Sequence, residues 1–215
     1  MAASFRGWPE RALAFYEGLE ADNSKAYWQE HKDVYEQDVK GPMEALVAEL
    51  APEFGDPHFF RPYRDTRFSR DKSPYKTTIA ATVGDCYVQL SSGGLMAGAG
   101  RYHLEPEELE RYRAAVAAAR SGHALQDAVG AAEASGLELG AMETLKSAPR
   151  GYPKDHERIE LLRMKGLVVM RSWPPAAWLG TVRAKQRVVE VFRAAAPVLA
   201  WLDAHVGPGG TAGRP

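Results

Sequence analysis

Cysteine is nearly missing from this chain: Cys86 is the one thiol among 215 residues. A single thiol cannot close an intramolecular disulfide or supply the paired cysteines of a structural zinc site, and it suits a reducing compartment. Long apolar runs are missing too. The longest, Ala114–Ala119 and Leu167–Met170, fall far short of the roughly twenty apolar residues that a membrane-spanning helix needs. The opening Met1-Ala2-Ala3-Ser4-Phe5-Arg6-Gly7-Trp8-Pro9 is broken by charge and proline before it reaches secretory length. These absences predict a cytoplasmic protein with no membrane partner. Charge of one sign is also lacking: 27 Lys and Arg against 28 Asp and Glu leave a net charge of -1. That balance argues against a protein that holds nucleic acid by its overall charge.

What is present reads as an ordinary folding chain. Hydrophobic residues make up 45% and charged residues 26%, near the averages for globular proteins. One domain over residues 1–206 is expected, with the Gly- and Pro-rich 207–215 as a flexible tail. Pro9 suits a helix start, and Leu13, Phe15, Tyr16 and Leu19 follow on a helical stripe. Asp22-Asn23-Ser24 separates it from a second helix carrying Trp28, His31, Tyr35 and Val39, which Gly41-Pro42 should end, and Met43–Phe54 reads as a third. Thr77–Val83 and Tyr87–Leu90 form a predicted hairpin around Gly84-Asp85. Leu95–Tyr102, broken by glycines, reads as a strand with bulges or close backbone approach. Helices are predicted over Pro106–Arg120 and Ser121–Ser135, with Leu137–Leu145 a connection. A helix at His156–Arg163 and a strand at Leu167–Trp173 come next. The last helix runs from Pro175 to about Val206, its buried side carrying Val182, Val189 and Phe192, and Pro197 should kink or divide it. The fold class is therefore α+β, an antiparallel or mixed sheet packed against several helices.

The chemistry concentrates between Arg61 and Lys76. Six basic and two acidic side chains give this stretch a local balance of +4 in a chain that is otherwise slightly acidic. Arginine forks match carboxylate or phosphate oxygens two at a time, so Arg64, Arg67 and Lys72 could grip an anion while Asp65 or Asp71 orients them. In an extended conformation Tyr63, Asp65, Arg67 and Ser69 would share one face, and Arg64, Thr66 and Phe68 the other. The competing reading is a network in which Asp65 and Asp71 pair with neighbouring arginines and pin a loop. Tyr63 and Tyr75 could stack on a ring.

Other motifs carry less. Ser69 to Lys72 and Ser73 to Lys76 have the spacing of serine acyl-enzymes, but Pro74 opposes a helix there and the partner motifs are absent. Gly98-x-Gly100 is followed by His103 rather than a third glycine, against a dinucleotide loop. His103, Asp155 and His156 lack metal-ligand spacing. His31 and Cys86 read as packed residues, and the five tryptophans as mostly core.

Arg64-Asp65-Thr66-Arg67-Phe68-Ser69-Arg70-Asp71-Lys72-Ser73-Pro74-Tyr75-Lys76 closely resembles the hallmark of a family of bacterial and fungal proteins catalogued as domain of unknown function 2461. Supporting stretches are Asn23–Trp28 with Lys32, Tyr35 and Gly41-Pro42, then Gly98–Tyr102 before Pro106. Pro149–Tyr152 followed by Asp155-His156, Leu161-Leu162 and Lys165 extends the resemblance to roughly residues 5–195. Asp22 stands where the family often has asparagine, and Tyr27-Trp28 replaces its commoner Trp-Phe. The resemblance implies a shared fold with a common polar centre and transfers no activity, reaction class or cofactor.

The site expected from all this gathers Asn23, the segment Arg64–Lys76 (with Ser69, Tyr75 and Lys76), Arg101 and His156 into one pocket for a small phosphate- or carboxylate-bearing ligand. Asp71, Tyr75 or His156 could add catalysis. The alternative is an open surface on which the same cations meet a protein or nucleic-acid partner while Tyr63, Phe68 or Tyr75 stack or insert.

Overall fold

The computed structural model describes residues 4–67 and 71–208 of the chain. Pro9, with its preset φ, immediately precedes helix α1 (Glu10–Ala21), which buries Ala12, Phe15, Tyr16 and Leu19. The Ser24 hydroxyl then accepts from the Tyr27 amide at 3.1 Å and caps α2 (Lys25–Glu30), as expected of this break.

Gly41-Pro42 does not end a helix. The chain runs through α3 (Lys32–Val34), a π-helical turn (Tyr35–Lys40) and α4 (Gly41–Phe54). In the wide turn the Gly41 amide donates to the carbonyl of Glu36, five residues back, and Pro42 falls in the first turn of α4, where its missing N–H is tolerated. The Trp8 indole N–H satisfies the Val39 carbonyl of this turn at 3.3 Å.

Strand β1 (Pro57–Phe59) lacks the β-branched signal that marks its neighbours. It pairs antiparallel with β2 (Thr78–Val83), which pairs with β3 (Cys86–Ser91) across the expected Gly84-Asp85 turn. Strand β4 (Gly94–Arg101) follows, and the expected close approach is met at Gly100: its φ is +129°, and a Cβ there would lie 2.1 Å from the Leu167 carbonyl oxygen. Helix α5 (Pro106–Ala117) opens with the Glu105 amide donating to the Glu108 carboxylate at 2.9 Å, and α6 (Ala119–Ala134) comes next.

The connection expected near residue 140 contains a short strand, β5 (Glu138–Gly140), and helix α7 (Ile159–Arg163) starts three residues later than expected. Strand β6 (Leu167–Trp173) has its expected bounds. A 3-10 turn (Ala177–Gly180) occupies the start of the last predicted helix, and α8 (Arg183–His205) is continuous through Pro197 rather than divided. Val182 precedes α8 and is exposed, so the buried side of that helix is carried by Ala184, Val188, Val191 and Phe192.

The result is an α+β fold whose six strands, among the described residues, make one antiparallel sheet in the order β1-β2-β3-β4-β6-β5. Two compact units divide the chain: Met1–Ala97 with Ser172–Glu190, and Gly98–Arg171 with Val191–Pro215. The first is built on Trp8, Tyr16, Leu19, Met43, Leu46, Leu50 and Leu90; the second on Leu104, Tyr112, Leu125 and Phe192, all fully buried.

Candidate functional site: a basic hairpin arm

An antiparallel arm begins with β1 and returns in β2. Beyond β1 the pairing resumes at an isolated bridge between Tyr63 and Tyr75, flanked by the Lys76 amide on the Pro62 carbonyl at 2.7 Å and the Arg64 amide on the Pro74 carbonyl at 2.9 Å. Between 59 and 63 one side of the arm advances four residues, and between 81 and 75 the other advances six, so the returning side carries a bulge of two.

Asn23 holds this arm to the helices. Its amide donates to the Tyr75 carbonyl at 3.2 Å and accepts from the Tyr75 amide at 3.0 Å, imitating one more strand residue. Trp28 of α2 stacks flat on the Tyr75 ring, centroids 4.3 Å apart at 4°, and meets Tyr35 at 4.7 Å and Tyr63 at 6.2 Å. The sequence placed Asn23 and Tyr75 in a ligand set, and the geometry brings the two together as a clamp. Tyr75 is buried, and burial with the neighbouring Tyr63 raises its phenol pKa above the usual range.

Past Arg64 two aspartates bond to the backbone two residues on, with a bend at Arg67; the alternating faces expected of an extended stretch run onto Phe68 and Ser69, outside the described residues. Asp65 accepts from the Arg67 amide at 3.2 Å and from that side chain's Nε and Nη2 at 3.0 and 2.7 Å. Asp71 accepts from the Ser73 amide at 2.9 Å and forms a short ion pair with Arg64 across the loop. The Lys72 ammonium donates to the Thr66 carbonyl at 2.8 Å. Bonds from Arg67 hold the Asp65 carboxyl down at about 2, and bonds from Ser73, then Arg64, hold Asp71 at about 2. The expected Asp–Arg network is therefore present within the loop. Ser69, like Phe68 and Arg70, lies outside the described residues.

Within the loop Asp65 pairs with Arg67 and Asp71 with Arg64, and the Arg61 charge also helps to hold the Asp65 carboxyl down. Among the described residues, Arg61 and Lys76 have no carboxylate within ion-pair distance. Lys76 lies with its ammonium 5.6 Å from the centroid of the Phe60 ring. Burial, then the charge of Arg61, lowers its pKa below the ordinary lysine value. Arg61 was part of the basic segment, but its place beside Lys76 could not be read without the register of the arm.

Arg101 and His156 belong to the second unit and have partners there. Arg101 is buried, and its Nη2 meets the Asp203 carboxylate at 2.7 Å. His156 accepts at Nδ1 from the Arg158 amide at 3.0 Å, which puts the proton of the neutral ring on Nε2. Beside it Arg158, only 3% exposed, donates to the carbonyls of Val116 and Ala117 at the end of α5, at 2.7 and 3.2 Å, and meets Glu157 at 2.7 Å. The signal for such a structural arginine is weak in sequence. Cys86 is buried as expected, and burial followed by the Asp85 charge pushes its thiol up to about 12, leaving it unreactive at neutral pH.

A basic arm closed by its own aspartates and clamped by an asparagine onto an α+β fold is the setting for the family comparison. Residues 11–201 match the family described as conserved hypothetical protein (DUF2461), and the chain belongs to it. No curated protein and no solved structure matched.

Proposed function

We propose that the arm 61–76 is a binding site for an anionic group, a phosphate or a carboxylate, centred on Arg61 and Lys76. The observation that carries this reading is the pairing pattern: the two acids form their ion pairs with Arg64 and Arg67 within the loop, while Arg61 and Lys76, near enough for the charge of one to lower the pKa of the other, have no described carboxylate within ion-pair distance, Asp65 reaching Arg61 only through its longer-range charge. Holding like charges together costs free energy that an anion between them recovers. Proton transfer by Asp65, Asp71 or Tyr75 is disfavoured, because carboxyls near 2 stay ionised at neutral pH and make weak bases, and the Tyr75 phenol is held above its usual range.

The test is thermal stability against inorganic phosphate, tripolyphosphate and citrate, since a native-state ligand raises the melting temperature by mass action. Stabilisation by at least one of them, abolished in both Arg61→Gln and Lys76→Gln, is expected. Stabilisation that survives both substitutions would place the anion elsewhere.

A second reading, an open surface for a macromolecule, is favoured by the exposure of Tyr63 and Phe59 on the same arm, 52% and 39%.

A further inference from the structure

We infer that the outer edge of β1 receives an acidic, extended segment of a partner protein as an added strand. The inference rests on the anion-binding reading and specifies its ligand as peptide carboxylates.

The edge is available. β1 ends the sheet, and Pro57, His58 and Phe59 are all exposed. Its outward groups follow from the pairing: the Gly84 amide donates to the Asp56 carbonyl at 3.0 Å and the Phe60 amide to the Ala80 carbonyl at 3.2 Å. Even-numbered residues thus turn their backbone toward β2, and alternation turns the Phe59 N–H and C=O and the Pro57 carbonyl outward. Pro57 offers no N–H, which shortens the free edge and limits pairing of the protein with itself.

The chemistry around this edge selects the occupant. Of the four large hydrophobic side chains exposed among the described residues, Phe59 belongs to β1 and Tyr63 to its continuation in the arm. Arg61 falls between them in sequence, and Lys76 stands across from Pro62. Backbone donors and acceptors, apolar rings and cations outside ion-pair distance of any described carboxylate together match a strand that alternates apolar and acidic side chains. A nucleic acid would use the cations and rings but leave the backbone groups unmatched.

The probe is a fluorescent, acetylated and amidated peptide of four Glu-Val repeats, titrated with the full chain by anisotropy. A second version carries N-methyl groups on alternate backbone nitrogens, and citrate and a twelve-residue oligothymidylate serve as competitors. Saturable binding is expected, weakened at least tenfold by N-methylation and at least tenfold by Arg61→Glu, with slowed hydrogen exchange at the Phe59 amide. Equal binding of the two peptides, tighter binding of the oligonucleotide, or no peptide binding would overturn the inference. If citrate still binds in those cases, the anion site stands without the strand; if citrate also fails to bind, both readings fall.

Discussion

At the scale of single residues, two side chains stand in for backbone. Asn23 pairs both polar groups of Tyr75, so Asn23→Ala leaves a part-buried amide and carbonyl without those partners. A loss of about 1 to 3 kcal/mol of stability is expected in urea unfolding. Asn23→Asp keeps an acceptor but aims a carboxylate at the Tyr75 carbonyl, and it should recover little of the loss. Arg158 finishes α5 by donating to carbonyls that the helix leaves open, and a lysine cannot reproduce the planar fork. Arg158→Lys should cost about 2 to 4 kcal/mol by the same measurement. A cost under half a kcal/mol, roughly the scatter of surface substitutions, would show that the fork is dispensable. Neither role was legible from residue type: Asn23 stood out through the family resemblance and Arg158 did not stand out, since partners 41 to 52 residues away set both roles.

Elements were legible where the local signal was strong. The period-2 run of β3, the apolar run of β6 and the break between helices at Asp22-Asn23-Ser24 announced themselves. The departures share a cause, because each is local chemistry overruled by packing. Pro42 and Pro197 read as breaks, yet a π-helical turn absorbs the first, and α8 continues through the second. β1 carries Pro, His and Phe with no alternation, and only its pairing with β2 makes it a strand. The glycines of Leu95–Tyr102 read as marking either bulges or close backbone approach, and at Gly100 it is close approach: Gly100→Ala, forced against the Leu167 carbonyl at positive φ, should cost about 2 kcal/mol or more. The arm's loop makes a prediction in pH. Asp65 and Asp71 are depressed from 3.8 to about 2 in the fold, so their bonds contribute fully above about pH 4 and are lost as pH falls through 2. Carboxyl carbon NMR should give midpoints near 2 for both, and Arg67→Ala should move the Asp65 midpoint back toward 3.8. Midpoints near 3.8 in the unmodified protein would mean that the loop is not closed in solution.

For the whole molecule, a chain with a net charge of -1 still carries an arm whose formal balance is +4. That contrast was visible in the sequence, as was the chain's membership of its family. The division of labour within it was not, because the aspartates choose their arginines through turns. In the proposed reading Arg61 and Lys76 together receive an anion, and Lys76 reports on it directly. With no anion bound, burial and Arg61 favour its neutral form. A bound anion favours the charged form, so binding must raise the pKa. Side-chain NMR of lysine-labelled protein, titrated with alkali in the absence and presence of citrate, measures this at one atom. The account predicts a Lys76 midpoint below the ordinary lysine value without citrate and a clear upward shift with it, lost in Arg61→Gln. A midpoint that citrate leaves unmoved would contradict it.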